Sequence, residues 1–333
     1  MKITVISNGS WGTALAKVLC DNKHDVTIWG RDKEYVAEMQ KTRENSRYLK
    51  GMTLPENLNL SSDFKEAVCG RDMLIMATPT QFVRNSLNDL KDVLGSETPI
   101  LVNVSKGIEV SSLKRISEIT EEILGKQLPY SILAGPSHAE EVMRNIPTAV
   151  VAAAENKKIA ETVQKTFSND EYFRVYTSED VIGVELGGAF KNIFAIAAGV
   201  IDGMNYGDNS KAALMTRGNF EMARFGIALG GKYETFNGLS GIGDLIVTCT
   251  SKHSRNRFVG ERLGKGRTLE EIKAEMGFSV AEGVKTTLSA KRLLDTLAVD
   301  APIIEEIYSV LYEDKNSRLA IKDLMTRDPK QES

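Results

Sequence analysis

Cysteine and histidine are both scarce in this chain, with three of each in 333 residues. Cys20, Cys69 and Cys249 lie far apart and are odd in number, so no disulfide framework and no paired-thiolate metal site can be read from them. A reducing, cytoplasmic setting is the expectation that fits. His24, His138 and His253 have no metal-ligand spacing either; they read as one solvated residue and two loop or helix-start residues. A strong charge of one sign is also lacking. The formal net charge of −3 argues against a general nucleic-acid binder, so any anion site has to be built from local cations. Long apolar runs are missing too. Residues 3–6 are too short a run for the core of a signal peptide and stop at Asn8-Gly9. Residues 193–201 reach only about half of what a membrane crossing needs, so the chain is not expected to be membrane-embedded. Internal repeats and low-complexity tracts are absent from the sequence. What remains is a composition of 42% hydrophobic and 26% charged residues, which is ordinary for a globular protein of one large or two medium domains.

The first half alternates short apolar runs with amphipathic ones. Strands are predicted at residues 2–7, 25–29, 73–77, 99–104, 131–134, 148–153 and 173–177. Helices are predicted between them at 13–21, 81–90, 113–124, 137–144 and 156–167. This alternation implies parallel βαβ units and a doubly wound, Rossmann-type α/β sheet. Near Ser178 the pattern changes. Helical segments follow at 181–202, 211–229, 256–263, 269–275, 284–297 and 303–313, with almost no strand signal. The expected organisation is a dinucleotide-binding domain over 1–178 and an all-helical domain over 179–333.

A glycine turn follows the first strand. The dinucleotide fingerprint is G-x-G-x-x-G; here Ser7 holds its first position, while Gly9 and Gly12 hold the other two. Those two glycines would serve close approach to a pyrophosphate and close helix–strand packing, and Ser10 and Trp11 lie between them. The helix start offers free N–H groups to the phosphates. An ordinary βα turn is the other reading. At the end of the second strand stand Arg31 and Asp32. Arg31 would lie over the adenine and accept a 2′-phosphate, while Asp32 keeps NAD open.

Three further stretches carry charge or donors. Lys106 follows a strand, where ligands of open α/β sheets bind. Gly135 and Ser137 follow the next strand, and Ser137 with Glu140 has the spacing of a capping box. Lys191 lies within a helix of glycine, alanine and apolar residues. Burial, or a second cation such as Lys106, would lower its pKa toward neutrality and suit it to proton transfer; a surface lysine that snorkels is the alternative. The densest stretch is 243–260. It carries Asp244 behind Gly241 and Gly243, then Ser254, Arg255 and Asn256. A forked cation and an amide donor suit a phosphate. A polar, glycine-rich surface loop is the bland reading of the same residues.

Taken together, these residues resemble one family. Gly9-Ser10-Trp11-Gly12-Thr13-Ala14, Tyr48-Leu49-Lys50-Gly51, Ser105-Lys106-Gly107, Ala134-Gly135-Pro136-Ser137, Glu185-Leu186-Gly187-Gly188-Ala189-Phe190-Lys191-Asn192, Leu239-Ser240-Gly241-Ile242-Gly243-Asp244 and Ser254-Arg255-Asn256-Arg257 are similar to the bacterial NAD(P)-dependent glycerol-3-phosphate dehydrogenases, in the same order over nearly the whole chain. The resemblance implies interconversion of dihydroxyacetone phosphate and sn-glycerol 3-phosphate, which supplies glycerophospholipid synthesis. It makes Lys191 the proton donor and acceptor, with Lys106 touching cofactor and substrate and Asp244 orienting Lys191 or a substrate hydroxyl. Gly135, Ser137, Asp244, Ser254, Arg255 and Asn256 would line the substrate. Ser10, Trp11, Arg31, Tyr48, Ala139, Arg255, Val280 and Glu282 would hold NADP or NAD, with NADPH favoured. The departure is Ser7, where the family usually has glycine. Another two-domain hydroxyacid dehydrogenase and a non-catalytic NAD(P) sensor are the rival readings. A homodimer is left open.

Overall fold

The computed structural model describes residues 1–329 apart from 279, together with 331 and 332. One sheet of eight strands fills the first half: β1 Lys2–Ile6, β2 Asp25–Trp29, β3 Leu58–Ser61, β4 Met73–Met76, β5 Ile100–Asn103, β6 Tyr130–Ala134, β7 Thr148–Ala153 and β8 Phe173–Ser178. Their order across the sheet is β3-β2-β1-β4-β5-β6-β7-β8. β1 pairs with β2 and with β4, so the strand order reverses beside β1 and opens a crevice there. Four of the five β1 residues are fully buried, as are all of Met73–Met76, because helices cover both faces. These helices are α1 Ser10–Asp21, α2 Lys33–Thr42, α3 Phe64–Val68, α4 Thr80–Leu94, α5 Ile116–Leu124, α6 Ala139–Val142 and α7 Lys157–Phe167.

Two features depart from the sequence reading. β6 and β7 are antiparallel, whereas every other pair is parallel. The connection between them holds only the single turn α6, too little helix to cross the sheet, so the chain returns in the opposite direction. In addition, α2, β3 and α3 fall in a region where no element was predicted. β3 has four residues, of which Leu58 is buried and Asn59 exposed, at the edge of the sheet; its alternation is too short to stand out.

Beyond Ser178 the described residues form helices: α8 Val181–Gly203, α9 Asp208–Ala228, α10 Tyr233–Phe236, a π-helical turn at Leu239–Gly243, α11 Asp244–Thr250, α12 Arg255–Gly264, α13 Leu269–Met276, α14 Glu282–Leu294, α15 Pro302–Tyr312 and α16 Ser317–Met325. α10, α11, the π turn and α16 add to the predicted set. α8 is the axis of this half. Among the described residues it is the one helix long and apolar enough to cross a membrane, yet 94% of its most apolar window is buried inside the fold. Around it gathers the largest apolar cluster, including Phe190, Phe194, Phe225, Phe236 and Ile304. α12 crosses α8 with backbone against backbone: a Cβ on Gly260 would overlap the Ile196 carbonyl oxygen, and one on Gly199 would overlap that of Arg257.

Candidate active site

A cavity of about 390 Å³ opens between the carboxyl ends of the strands and helices α8, α11 and α12. A larger one, about 690 Å³, lies among α8, α9, α15 and α16 and is walled mostly by apolar side chains. The smaller cavity is singled out by its chemistry.

Its sheet side begins at Ser7, which leaves β1 with φ of 102°, a left-handed conformation that side chains rarely adopt. The Ser7 hydroxyl accepts from the Gly9 N–H at 3.4 Å. At Gly12, in the first turn of α1, a Cβ would come within 2.8 Å of the Ser7 carbonyl oxygen and 3.0 Å of Ala77, so only glycine lets α1 seat on the sheet. The first turn of α1 holds no acid, and its leading N–H groups face no intrahelical acceptor. The Trp11 indole Nε1 is buried with no hydrogen-bond partner. Amides, dipole and an orphaned donor on one turn fit the phosphate-bearing dinucleotide that the glycine spacing predicts.

Beyond β5, Lys106 reaches into the cavity. Its Nζ donates to the Gly135 carbonyl at 3.0 Å and to Asp244 Oδ2 at 2.6 Å. Gly135 sits just behind the wall with φ of 148°, and a Cβ there would be 2.9 Å from Val150 Cα. Ser137 donates to the same Gly135 carbonyl at 2.9 Å. The capping box expected of Ser137 and Glu140 is therefore not formed. α6 starts at Ala139, with His138 in the capping position and no side-chain cap; the Gly135 turn has already claimed the serine hydroxyl.

The helical side supplies the other half. Asp244 opens α11 directly after the π turn. Gly241 is pressed so close to the Phe236 backbone that a Cβ could not fit, whereas Gly243 has ordinary helical angles. Lys191, on α8, donates to Asp244 Oδ1 at 2.8 Å and to Thr248 Oγ1 at 2.7 Å. Asp244 thus bridges two ammonium groups and is itself 1% exposed. Burial alone would raise its carboxyl, but Lys106 and Lys191 outweigh burial and hold it below the usual carboxylate range. Burial lowers Lys191 to about 8; Asp244 opposes that shift and Lys106 adds to it. A buried ammonium near neutrality, beside a second cation, is equipped to give and take a proton.

Arg255 is the first residue of α12, capped by Ser254, whose hydroxyl accepts from the Arg257 N–H at 3.2 Å. The first turn of α12 has no acid. The Arg255 side chain is exposed and makes no hydrogen bond or ion pair with the described residues. A free guanidinium at a helix start has the donors and the charge to hold a phosphate. Asn256 lines the cavity too, while Nδ2 donates to Asn192 Oδ1 at 2.8 Å and Oδ1 accepts from the Gly283 N–H at 2.9 Å. It ties α8, α12 and α14 together. Glu282 starts α14 and accepts from the Thr80 N–H at 2.9 Å, with desolvation raising its carboxyl. Gly9, Ser10, Trp11, Gly12, Tyr48, Ala139, Val280 and Glu282 all line the same cavity as Lys106, Ser137, Lys191, Asp244, Ser254, Arg255 and Asn256. Arg31 is exposed just past β2 and lies outside that lining.

Several wall residues escaped the sequence reading, among them Thr248, Asn192, Arg47, His138 and His253. Thr248 is four residues after Asp244, hence on the same helix face, and that spacing was a usable signal. Asn192 is adjacent to Lys191. Arg47 stands across from Phe278, and no local pattern marks it. His138 and His253 both line the cavity, with rings 5.9 Å apart. They are a capping-position and a loop residue, as expected, but the fold brings them together. Burial and then Lys191 depress His138. His24 differs from expectation: it is half-buried, with Nε2 3.2 Å from the Thr166 carbonyl, rather than solvated.

A doubly wound sheet with a glycine turn at its switch point, facing a buried lysine on a helical half, defines a nicotinamide-dinucleotide-dependent dehydrogenase. The chain belongs to the NAD-dependent glycerol-3-phosphate dehydrogenase family: the N-terminus profile of that family matches residues 2–160 and the C-terminus profile residues 180–322. It is 49% identical to glycerol-3-phosphate dehydrogenase [NAD(P)+] of Chlorobium phaeobacteroides, covering 100% of this chain and 99% of that one. It is 50% identical to the protein of the same name from a Thermoanaerobacter species, at 100% and 99% coverage. Among solved structures, glycerol-3-phosphate dehydrogenase from Coxiella burnetii superposes with a TM-score of 0.93 at 36% identity, covering 98% of this chain and 99% of that one.

Proposed function

We propose that this protein interconverts dihydroxyacetone phosphate and sn-glycerol 3-phosphate with NAD(P)H, and so supplies glycerol 3-phosphate to glycerophospholipid synthesis in the cytoplasm. The observation that carries the reading is Asp244 held between Lys106 and Lys191 in a cavity that also contains a free Arg255 at a helix start. Residues 1–178 are taken to bind the cofactor and 179–333 to hold the substrate.

Substrate phosphate is held by the Arg255 guanidinium and the leading amides of α12, which fixes the three-carbon chain. The Lys191 ammonium donates a proton to the C2 oxygen in reduction and receives it back in oxidation. Lys106 stabilises negative charge on that oxygen while it develops. Asp244 keeps both ammonium groups aimed, and Thr248 fixes the Lys191 rotamer. Gly9, Ser10, Trp11 and Gly12 hold the dinucleotide phosphates; Tyr48, Ala139, Val280 and Glu282 line the rest of its path. When bound, the reduced nicotinamide supplies the hydride that C2 accepts. Arg31, with no acid to neutralise it among its described contacts, favours NADPH over NADH.

The test is consumption of reduced nicotinamide with dihydroxyacetone phosphate, run beside a phosphorylated sugar acid as competitor substrate. Turnover with the triose phosphate supports the reading. Turnover only with the acid, or binding without turnover, overturns it. The half-buried and buried cysteines suit the reducing compartment proposed. A homodimer is part of the same proposal and is decided by mass in solution from light scattering.

A further inference from the structure

The end of β2 carries an arginine and an acid side by side, the residue types that favour a ribose 2′-phosphate and a free 2′-hydroxyl respectively. Asp32 has both carboxylate oxygens engaged. As the cap of α2, its Oδ1 accepts from the Tyr35 N–H at 3.0 Å. Its Oδ2 accepts from Arg47 Nη1 at 2.6 Å. The Tyr35 amide first, and then Arg47, hold this carboxyl below its ordinary range.

Arg47 is itself fixed. Its guanidinium carbon lies 3.8 Å from the centroid of the Tyr35 ring. That ring is anchored in turn, because its hydroxyl donates to Asn45 Oδ1 at 2.7 Å and accepts from the Arg47 N–H at 2.8 Å. Phe278 of the helical half approaches the same guanidinium at 5.5 Å. Arg47 lines the cavity next to Tyr48, and among the described residues only Asp32 receives a hydrogen bond from its side chain. Four of the five N–H donors of a guanidinium are therefore free.

We propose that Arg47 sets the cofactor preference of this protein. By occupying Asp32 it withdraws that carboxylate from a ribose 2′-hydroxyl, and its free donors, with Arg31 nearby, make this end of the cavity a seat for a 2′-phosphate. NADP(H) then binds more tightly than NAD(H). The inference rests on the NAD(P)-dependent reading above but concerns binding alone.

Calorimetric titration of the whole protein with NADP+ and with NAD+ tests it without any substrate. Arg47→Leu keeps apolar cover on Tyr35 and removes the charge. It should weaken NADP+ by roughly ten- to hundredfold, as expected for a lost charged hydrogen bond to phosphate. NAD+ should hold its affinity or gain, because Asp32 is released. Adding Asp32→Asn to Arg47→Leu should cancel any NAD+ gain. Arg47→Lys, which keeps charge but not the fork, should fall between. If the wild type binds both dinucleotides and Arg47→Leu weakens them equally, Arg47 is only a prop for Tyr35 and the inference fails while the dehydrogenase reading stands. If the wild type binds neither, the dehydrogenase reading falls and this inference with it.

Discussion

Two charged residues on α8, Glu185 and Lys191, are both buried within two turns of each other, and their surroundings are opposites. Glu185 is closed. Its Oε1 accepts from the Ser117 N–H and the Tyr130 hydroxyl, and its Oε2 accepts from Arg115 and the Ser117 hydroxyl, at 2.6–2.9 Å. This buried acid meets one cation, Arg115, which the exposed Glu118 also approaches at 3.3 Å, and neutral donors fill the remaining lone pairs. Lys191 is open. It shares the single carboxylate of Asp244 with Lys106, so the cluster carries one positive charge more than it can neutralise. Burying surplus charge is costly unless something arrives to balance it. The balanced cluster ties the helical half to α5 and β6. The unbalanced one awaits an anion, which in the proposed reaction is the oxygen on C2 as it gains negative charge.

The largest effect should come from removing the surplus. Lys191→Met is expected to fold and bind NADP+ while kcat falls by about 10²–10⁴; the check is steady-state turnover beside a dinucleotide titration. Near-normal turnover in a folded variant would end the proposed role.

Opening the closed cluster should act on stability instead. Glu185→Leu takes the buried acceptor from the Ser117 N–H and the Tyr130 hydroxyl and leaves Arg115 with Glu118 and the Ser117 hydroxyl, at a cost of about 1–3 kcal/mol. Denaturant unfolding should register that loss, with kcat of the folded fraction unchanged at low temperature. A fall in kcat without a fall in stability would erase the distinction between the two clusters.

Arg255→Ala removes the other free cation of the open site. It should lower kcat/KM for dihydroxyacetone phosphate by about ten- to hundredfold, or roughly 1.5–3 kcal/mol. Unphosphorylated dihydroxyacetone, compared in the same assay, should be much less affected. Equal losses on both would move Arg255 from phosphate binding to the cofactor or the fold.

The smallest effect is on pH dependence. Burial lowers the Lys191 ammonium to about 8. The protonated form is the donor, so carbonyl reduction should be flat below that value and decline above it, approaching about tenfold per pH unit. Alcohol oxidation, which needs the neutral amine, should have the opposite slope. Lys106→Gln removes a repelling ammonium and should shift both limbs to higher pH. Coincident limbs in wild type and variant would show that Lys106 does not act on Lys191.

Lys191 was legible in the sequence because a lysine is conspicuous among Gly, Ala and apolar residues in a helix. Asp244 was legible because glycines precede it. Their mutual contact was not, since 53 residues separate them and only the packing of α11 on α8 brings them together. Arg47, His138 and His253 lie in loops or at a helix start, where neighbours in sequence say nothing about neighbours in space. The reversal of β7 was hidden for a related reason: a run of buried apolar residues marks a strand but carries no direction. Arg31 was legible as a candidate for the 2′-phosphate because it follows the strand directly. Arg47 was not, because only the fold of the loop after α2 brings it into the cavity wall.

The glycine crossing of α8 and α12 has a consequence for length. With no side chains between the two backbones, nothing compressible separates the helix that carries Lys191 from the helix whose first residue is Arg255. The spacing of the two backbones is then set by van der Waals radii, so in the proposed reaction only side-chain rotamers of Lys191 and Arg255 can adjust to a guest. In the proposed reaction such a pair of backbones acts as a caliper with adjustable tips, so a phosphorylated substrate one carbon longer or shorter than the triose is expected to turn over more slowly.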